Sequence, residues 1–557
     1  MARNISKARE STSEIDRLYI SMRHMSNRSS YKPSGQTGKI LQELLLRLNP
    51  EIYGSMADPE KVELDGLIYV LDRLPDGITE TPFISFTSNE GVDFSKFRPI
   101  IPEKRRRICY RVDEDQMNIE VTRGRSEIYD TLTHLTFLYN ESDKIRAKGY
   151  DKQSQKASRY WKKIEEVALN MISLNTKDRS VALMNLASIL GRTYKEAETA
   201  WKYFSTAEDK DKFFKIIYWM GRTSYEDLKG IKKREITFSP ILRERIGHHI
   251  IGEDWANNIK KTLHDNDLID RPLHIISANM HSVMNMLYAF DSLKKDFKSV
   301  NEFDVYKDLS ESKNKAMREM VSEYSHKKGL IFLKDSSGTN MDVQIIDLKK
   351  ANLKNTAFSG FKAGKEDVLI VMDYAFGEQA FEAMDELLKP YETRKFSSMM
   401  NVKSISVMGK AGILVGKKGD IMIPNAHIVE GPTDNYVFEN ELKPEDFKGS
   451  RLGVFEGPMI TVLGTSLQNK DVLEYFRDSS WKAIGLEMEG GHYQKAIQVA
   501  SKIRHYISPD VKVMYAYYAS DNPLESGSTL ASGGLGLSGV KPTYLITKMI
   551  LNKILEA

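Results

Sequence analysis

The stretch Ala483-Ile-Gly-Leu-Glu-Met-Glu-Gly-Gly-His-Tyr493 closes an apolar run with two glutamates and a methionine, then turns through two glycines. Carboxylates at that position face the carboxyl end of a strand, the rim where open α/β sheets gather ligands. The same order of apolar run, polar cluster and helix recurs through the back half of the chain, in "RPLHIISANMHSVMNMLYAF", "DVLIVMDYAFGEQAFEAMDELL", "SISVMGKAGILVGKKGDIMIP", "PMITVLGTS" and "KVMYAYYASDNP". Short β-rich runs alternating with helices predict an α/β fold, a mixed twisted sheet flanked by helices. Five polar clusters are expected on its rim: Asn279 to Ser282, Asp373 to Glu378, Gly409 to Gly412, Glu487 to His492, and Ser520 to Pro523.

The front half reads differently. Residues 1–35 are polar and rich in Ser, Arg and Lys, which predicts a flexible N-terminal arm. Apolar residues at helical spacing over 37–50, 58–74, 126–140, 155–173, 178–190, 193–206 and 210–221 predict a mainly helical domain over 36–240. Two alternating runs around Asp113-Glu-Asp115 predict a hairpin within 105–122. A linker helix region over 241–270 then leads into the domain 271–557. No catalytic motif stands in the front half, and its aromatic stripes read as core.

Composition narrows the class. A chain of 557 residues with 41% hydrophobic and 28% charged residues has the make-up of an ordinary globular protein of two or more domains. The formal net charge of +4 is small for that length, so nucleic acid is not an expected partner. The run Lys104-Arg-Arg-Arg107 reads as a solvated strand edge. Cys109 is the single cysteine, which rules out a disulfide framework or a cysteine zinc site within one chain and fits a reducing cytoplasm. No window approaches the ~20 apolar residues of a membrane span, so no membrane partner is expected and the protein is expected in the cytoplasm.

The order of "GKAGILVGKKGDIMIP", "AIGLEMEGGHY" and "ASDNP" resembles the nucleoside phosphorylase and nucleosidase family. "LIVMDYAFGEQAFEAMDELL" and "SDNPLESG" are similar to segments of the AMP nucleosidase catalytic domain. The resemblance covers residues 270–557 and implies cleavage of a purine N-glycosidic bond, AMP being the leading substrate. The alternatives are a phosphorylase using inorganic phosphate and a nucleotide sensor without turnover. It also implies a homo-oligomer, with a hexamer as one candidate size, and no metal or other cofactor.

The chemistry asks for a group that tolerates an oxocarbenium-like sugar and a group that protonates the leaving base. The resemblance assigns the first task to the Met-Glu pair: Met488 lies under the ribose, and Glu489 accepts from its hydroxyls with Glu487 beside it. The second task falls to Asp521, preceded by Ser520. Burial beside Tyr517, Ala519 and Pro523 would raise the Asp521 pKa as that task requires. For an anion the sequence offers Lys410 between Gly409 and Gly412, where phosphorylases usually carry an arginine just before the first glycine. It also offers Asn279 and His281 beside Ser277 and Ser282. Gly377 and Glu378 occupy another strand-to-helix turn, Glu378 being either a helix cap or a group that orients water. His492 reads as a structural donor.

Overall fold

Helical periodicity organises the first part of the chain: α1 (Ala2–Asn27), α2 (Gln36–Leu48), α3 (Leu64–Leu71), α4 (Arg125–Gly149), α5 (Arg159–Ala168), α6 (Thr176–Leu190), α7 (Tyr194–Phe204), α8 (Lys212–Lys229) and α9 (Pro240–His248). The structure is a computed structural model and describes residues 2–90, 96–151, 153–154, 156–172, 174–361, 365–394, 396–431, 434–525 and 536–556. The expected arm is instead the helix α1. Ile15, Leu18, Met22 and Met25 recur on one face of it and are each 0% exposed, a stripe hidden by the polar residues between them. Trp161 is likewise fully buried, between Gly149 of α4 and Gly221 of α8, where an added Cβ would meet its ring at 2.8 and 2.3 Å.

This part also carries a five-stranded sheet that helical periodicity did not announce. Its order is β1-β5-β2-β4-β3, built from β1 (Ser30–Tyr31), β2 (Phe83–Thr87), β3 (Cys109–Arg111), β4 (Gln116–Glu120) and β5 (Glu235–Phe238). β3 and β4 form the expected hairpin, turned by Asp113 Oδ1, which accepts from the amides of Asp115 and Gln116 at 2.8 Å each. The basic run before it is a solvated edge only in part: Lys104 and Arg106 are exposed, but Arg105 and Arg107 are not. Arg107 is 2% exposed and donates to Asp130 at 2.8 Å, and Arg105 holds the same carboxylate through two bonds of 2.9 and 2.8 Å. Buried arginine needs such a partner, and Asp130, one helix later, supplies it.

The chain divides into two units, one of residues 6–248 with 466–469, the other of residues 1–5, 249–465 and 470–557. The segment expected as a linker is therefore cut at His249, whose φ of 55° ends α9 before α10 (Ile250–Asp265) begins. α10 is no tether, because Trp255, Ala256, Ile259 and Leu263 are buried in the core of the second unit.

That unit is the expected mixed sheet. Its strands are β6 (Leu273–Ser277), β7 (Leu330–Leu333), β8 (Val343–Asp347), β9 (Val368–Met372), β12 (Val402–Ile413), β13 (Ile421–Val429), β14 (Asn435–Val437), β15 (Val454–Thr461), β16 (Gly485–Glu487) and β17 (Lys512–Asp521). β10 (Tyr391–Thr393) and β11 (Phe396–Ser398) form a separate hairpin. Around them lie α11 (Met280–Ser292), α12 (Glu302–Ser310), α13 (Lys315–Lys327), α14 (Gln379–Leu388), α15 (Lys470–Asp478), α16 (Gly490–Gln498) and α17 (Val540–Glu556).

Two core layers sandwich the sheet. One contains Ile275, Ile370, Ile405 and Tyr515; the other contains Ile276, Val371, Met408 and Met514. Consecutive residues go to opposite layers, which is why these strands read as unbroken apolar runs.

Strand register positions the site. β17 runs along one edge of β12 from Ser404 to Gly412. On the other edge, parallel β6 ends opposite Val407, and antiparallel β16 begins at Gly412. The two strands therefore point at each other along β12. Between them Met408, Gly409, Lys410 and Ala411 have no ladder partner on that edge among the described residues.

Candidate active site

The gap beside β12 lies between the strand ends that carry two of the expected clusters. The carboxyl end of β6 delivers Asn279 and His281 from one side, and that of β16 delivers Glu487, Met488 and Glu489 from the other. Gly409 and Gly412 were expected on the rim of the sheet; both lie in the last residues of β12, and Lys410 is an exposed residue of that strand. The long strand is required because β6, β16 and β17 all pair with it.

Asp521 sits across β12 from the gap. The ladder between β12 and β17 shifts register between Ala411 and Gly412, so Ser520 is an extra residue and Asp521 lies opposite Gly412. A bulge of this kind re-aims the side chains around it. Asp521 is 5% exposed, and burial raises its pKa; the Ser520 hydroxyl, Lys410 and Lys418 act in the opposite sense. Ser520 Oγ is within hydrogen-bond reach of both the Ala411 carbonyl, at 3.2 Å, and Asp521 Oδ1. A hydroxyl has one proton to donate and the carbonyl can only accept. When Ser520 donates to Ala411, its contact with Asp521 requires the proton on the aspartic acid. Oδ2 of Asp521 is buried without a hydrogen-bond partner. The last residues of "SDNPLESG", 526 and 527, lie outside the described residues.

The two glutamates of the opening stretch have different tasks. Glu487 turns inward: its Oε1 accepts from Thr461 Oγ1 at 2.5 Å, and its Oε2 accepts from the Glu489 amide at 2.5 Å and from the Gly490 amide. Burial alone would raise this carboxyl, but His427, the Gly490 amide and Thr461 hold it below its usual range. It thus caps α16 and fixes the backbone that carries Glu489. Glu489 is half-buried and accepts from the Gly377 amide at 3.0 Å, which joins β16 to the turn after β9. Gly377 has φ of 56°, a conformation that favours glycine. Met488, between the two glutamates, packs against the cluster of Leu414, Ile428, Ile460 and Leu486.

Other expected residues are placed less directly. Asn279 caps α11 by accepting from the His281 amide at 3.0 Å, and His281 lies within electrostatic range of Asp373 and Arg318. Glu378 precedes α14 but makes no side-chain cap bond; it acts electrostatically on His492, whose pKa burial lowers. Ser277 bonds the Tyr493 hydroxyl at 3.1 Å, and Ser282 bonds Thr547 at 2.8 Å, so both serve the interior.

Sequence reading missed His427. It is 0% exposed on β13, its Nδ1 lies 3.4 Å from Glu487 Oε1, and neither ring nitrogen makes a hydrogen bond. Its ring stacks on Phe438 at 5.3 Å and meets Tyr515 edge-on at 4.9 Å. Gly490 permits this approach, since a Cβ there would lie 2.3 Å from His427 Cε1 and 2.6 Å from the Tyr517 hydroxyl. The hydroxyl of Tyr517 is itself buried and unpartnered, and its ring also borders Gly409. The only sequence signal was a histidine inside the apolar run "IMIPNAHIV", which identifies no partner.

No curated protein matches this chain. Among solved structures it is similar to a Campylobacter jejuni 5'-methylthioadenosine/S-adenosyl homocysteine nucleosidase, with 11% identity and a TM-score of 0.32 over 52% of this chain and 100% of that one. It is also similar to a futalosine hydrolase of Helicobacter pylori, with 12% identity and a TM-score of 0.31 over 52% of this chain and 99% of that one. A third is uridine phosphorylase isoform 2 of Schistosoma mansoni, with 11% identity and a TM-score of 0.30 over 51% of this chain and 88% of that one. A family model matches residues 39–303 and 302–556, nearly the whole sequence, and the chain therefore belongs to the family of unknown function DUF6909.

Proposed function

We propose that this chain hydrolyses the N-glycosidic bond of a purine nucleotide or nucleoside, AMP being the leading substrate. The observation that carries the reading is the meeting of three motifs far apart in sequence: Asp521 lies opposite Gly412, and Gly412 pairs in turn with Leu486, next to the Glu487-Met488-Glu489 run. The resemblance of those motifs to the nucleosidases supplies the reaction. Asp521, whose pKa burial raises, delivers its proton to the departing purine, as a general acid must. Glu489 accepts from the ribose hydroxyls and, as an anion, favours the positive sugar of the transition state. Met488 gives the sugar a pliable apolar surface. Lys410, exposed and electrostatically coupled to Asp521, is a cation available to a 5′-phosphate.

The test is chromatographic: release of free base from AMP, adenosine and related purine compounds, with and without inorganic phosphate. Base release from AMP without added phosphate is expected. Strict dependence on phosphate would make the protein a phosphorylase, and tight binding of every nucleotide without any base release would make it a sensor.

A further inference from the structure

The carboxyl rim of the smaller sheet presents polar atoms without partners among the described residues. β2, β4 and β5 run parallel and finish together at Thr87, Glu120 and Phe238. Thr87 and Glu120 are direct register partners, so their side chains stand next to each other on one face. They are 7% and 5% exposed, yet Thr87 Oγ1 and Glu120 Oε1 make no hydrogen bond. The same holds for Oε2 of Glu90, three residues beyond Thr87, whose other oxygen is bonded by Ser239 just after β5. Buried oxygens without donors are uncommon in folded proteins and call for an explanation.

Charge narrows that explanation. The charged groups acting on Glu120 are Glu90 and Glu127, both acidic; burial first, and these two after it, push its carboxyl up to about 7. Glu127 is already committed, accepting from the amides of Thr122 and Arg123 at 3.2 and 3.1 Å and facing Arg107 Nε at 3.4 Å. These bonds tie Glu127 to the segment that leads into α4. Cys109 of β3, whose thiol burial pushes up to about 12, stays neutral beside them. Among the described residues no cationic side chain is found acting on Glu120, and a cluster of acceptors in that setting selects a ligand that donates hydrogen bonds and carries positive charge. Among the described residues no group of three His, Cys, Asp or Glu is placed to hold a metal ion.

We propose that Thr87, Glu90 and Glu120 form a binding site for a small primary alkylammonium compound, whose three N–H groups match the three unpartnered oxygens. The site lies wholly in the unit of residues 6–248 and is independent of the glycosidase reading. It gives that unit a ligand of its own, an aliphatic mono- or diamine.

Isothermal titration of the full chain with 1,4-diaminobutane and with ethanolamine tests this, with 1,4-butanediol as the uncharged isostere. Saturable binding of an amine and none of the diol is expected. Glu120→Gln should weaken amine binding at least ~10-fold, as expected for loss of a charge-assisted bond, and Thr87→Val should weaken it by a smaller factor. Affinity should rise between pH 6 and 8 as Glu120, which interacts with Glu90, Glu127, Cys109 and Tyr110 while Arg107 is held by Glu127 and Asp130, gives up its proton. Glu90→Gln is the second charge variant should Glu120→Gln not fold, as read by circular dichroism. Absence of heat with both amines, equal binding of the diol, or unchanged affinity in the folded variants would overturn the assignment.

Discussion

At the scale of single residues the decisive group is Asp521. Its proposed work requires the protonated form, and burial raises its pKa above the ordinary aspartate value. Activity governed by it should therefore be lost as pH rises through that raised pKa, giving the alkaline limb of a kcat profile. Linkage has the same sign: a raised folded pKa favours the folded state below the unfolded value and loses that contribution as pH rises through the folded one. Asp521→Asn should lower turnover by about 10²–10⁴, with ligand binding largely kept and a thermal midpoint at pH 7 no lower than that of the parent. Wild-type turnover in the asparagine variant would exclude Asp521 as the acid. Lys410 belongs to the same scale. If it meets a 5′-phosphate, Lys410→Ala should reduce the preference for AMP over adenosine by about ten- to a hundredfold, the worth of one charge-assisted contact. Because Lys410 also lowers the Asp521 pKa, the alkaline limb for adenosine should move upward in the same variant. Equal cleavage of AMP and adenosine by the parent protein would remove this role.

At the scale of elements, the site depends on how α16 starts. Glu487 holds the amides of Glu489 and Gly490, Thr461 holds Glu487, and the side of Gly490 is filled by His427 and Tyr517. Gly490→Ala forces a methyl group against both rings and should cost about 1–3 kcal/mol, the usual penalty of overpacking, together with poorer ribose recognition. Thr461→Val should leave Glu487 Oε1 short of a donor and cost about 1–3 kcal/mol. Urea denaturation and KM measured on the two variants check both, and Gly490→Ala with parental stability would show that the close approach is dispensable. His427 acts at this scale too. His427→Phe keeps the stacking on Phe438 but removes the ring nitrogen 3.4 Å from Glu487 Oε1, so amide hydrogen exchange at the start of α16 should quicken. Unchanged exchange there would make the histidine a packing group only.

At the scale of the whole molecule, the chain is two units. All the proposed glycosidase residues lie in the second, and the proposed ammonium site lies in the first. Gly221→Ala would drive a methyl group into the Trp161 ring, 2.3 Å away, from which α8 and α5 must separate. The expected cost is about 1–3 kcal/mol, read as a lower unfolding midpoint by tryptophan fluorescence. An unshifted midpoint would mean that the tryptophan is held less tightly than its burial indicates.

What the sequence determined by itself was local. Strong apolar runs gave the strands of the second unit, helical periodicity gave most of the helices, and Asp113-Glu-Asp115 gave a hairpin, because each of these is fixed by contacts a few residues away. The motifs "GLEMEGG" and "ASDNP" indicated a chemistry in the same way, each as a short string. Where the contacts are long-range, the sequence misled or fell silent. The polar surface of α1 masked its buried stripe, and Arg105 and Arg107 looked solvated until Asp130 stood against them. His427 had no visible partner, and nothing around Lys410 showed that three strands pair with β12. Only the tertiary structure decided that β6 and β16 stop short of each other along one strand, and that Thr87 and Glu120 end side by side. Register between strands is set by which side chains can share a core, and that depends on residues hundreds of positions apart.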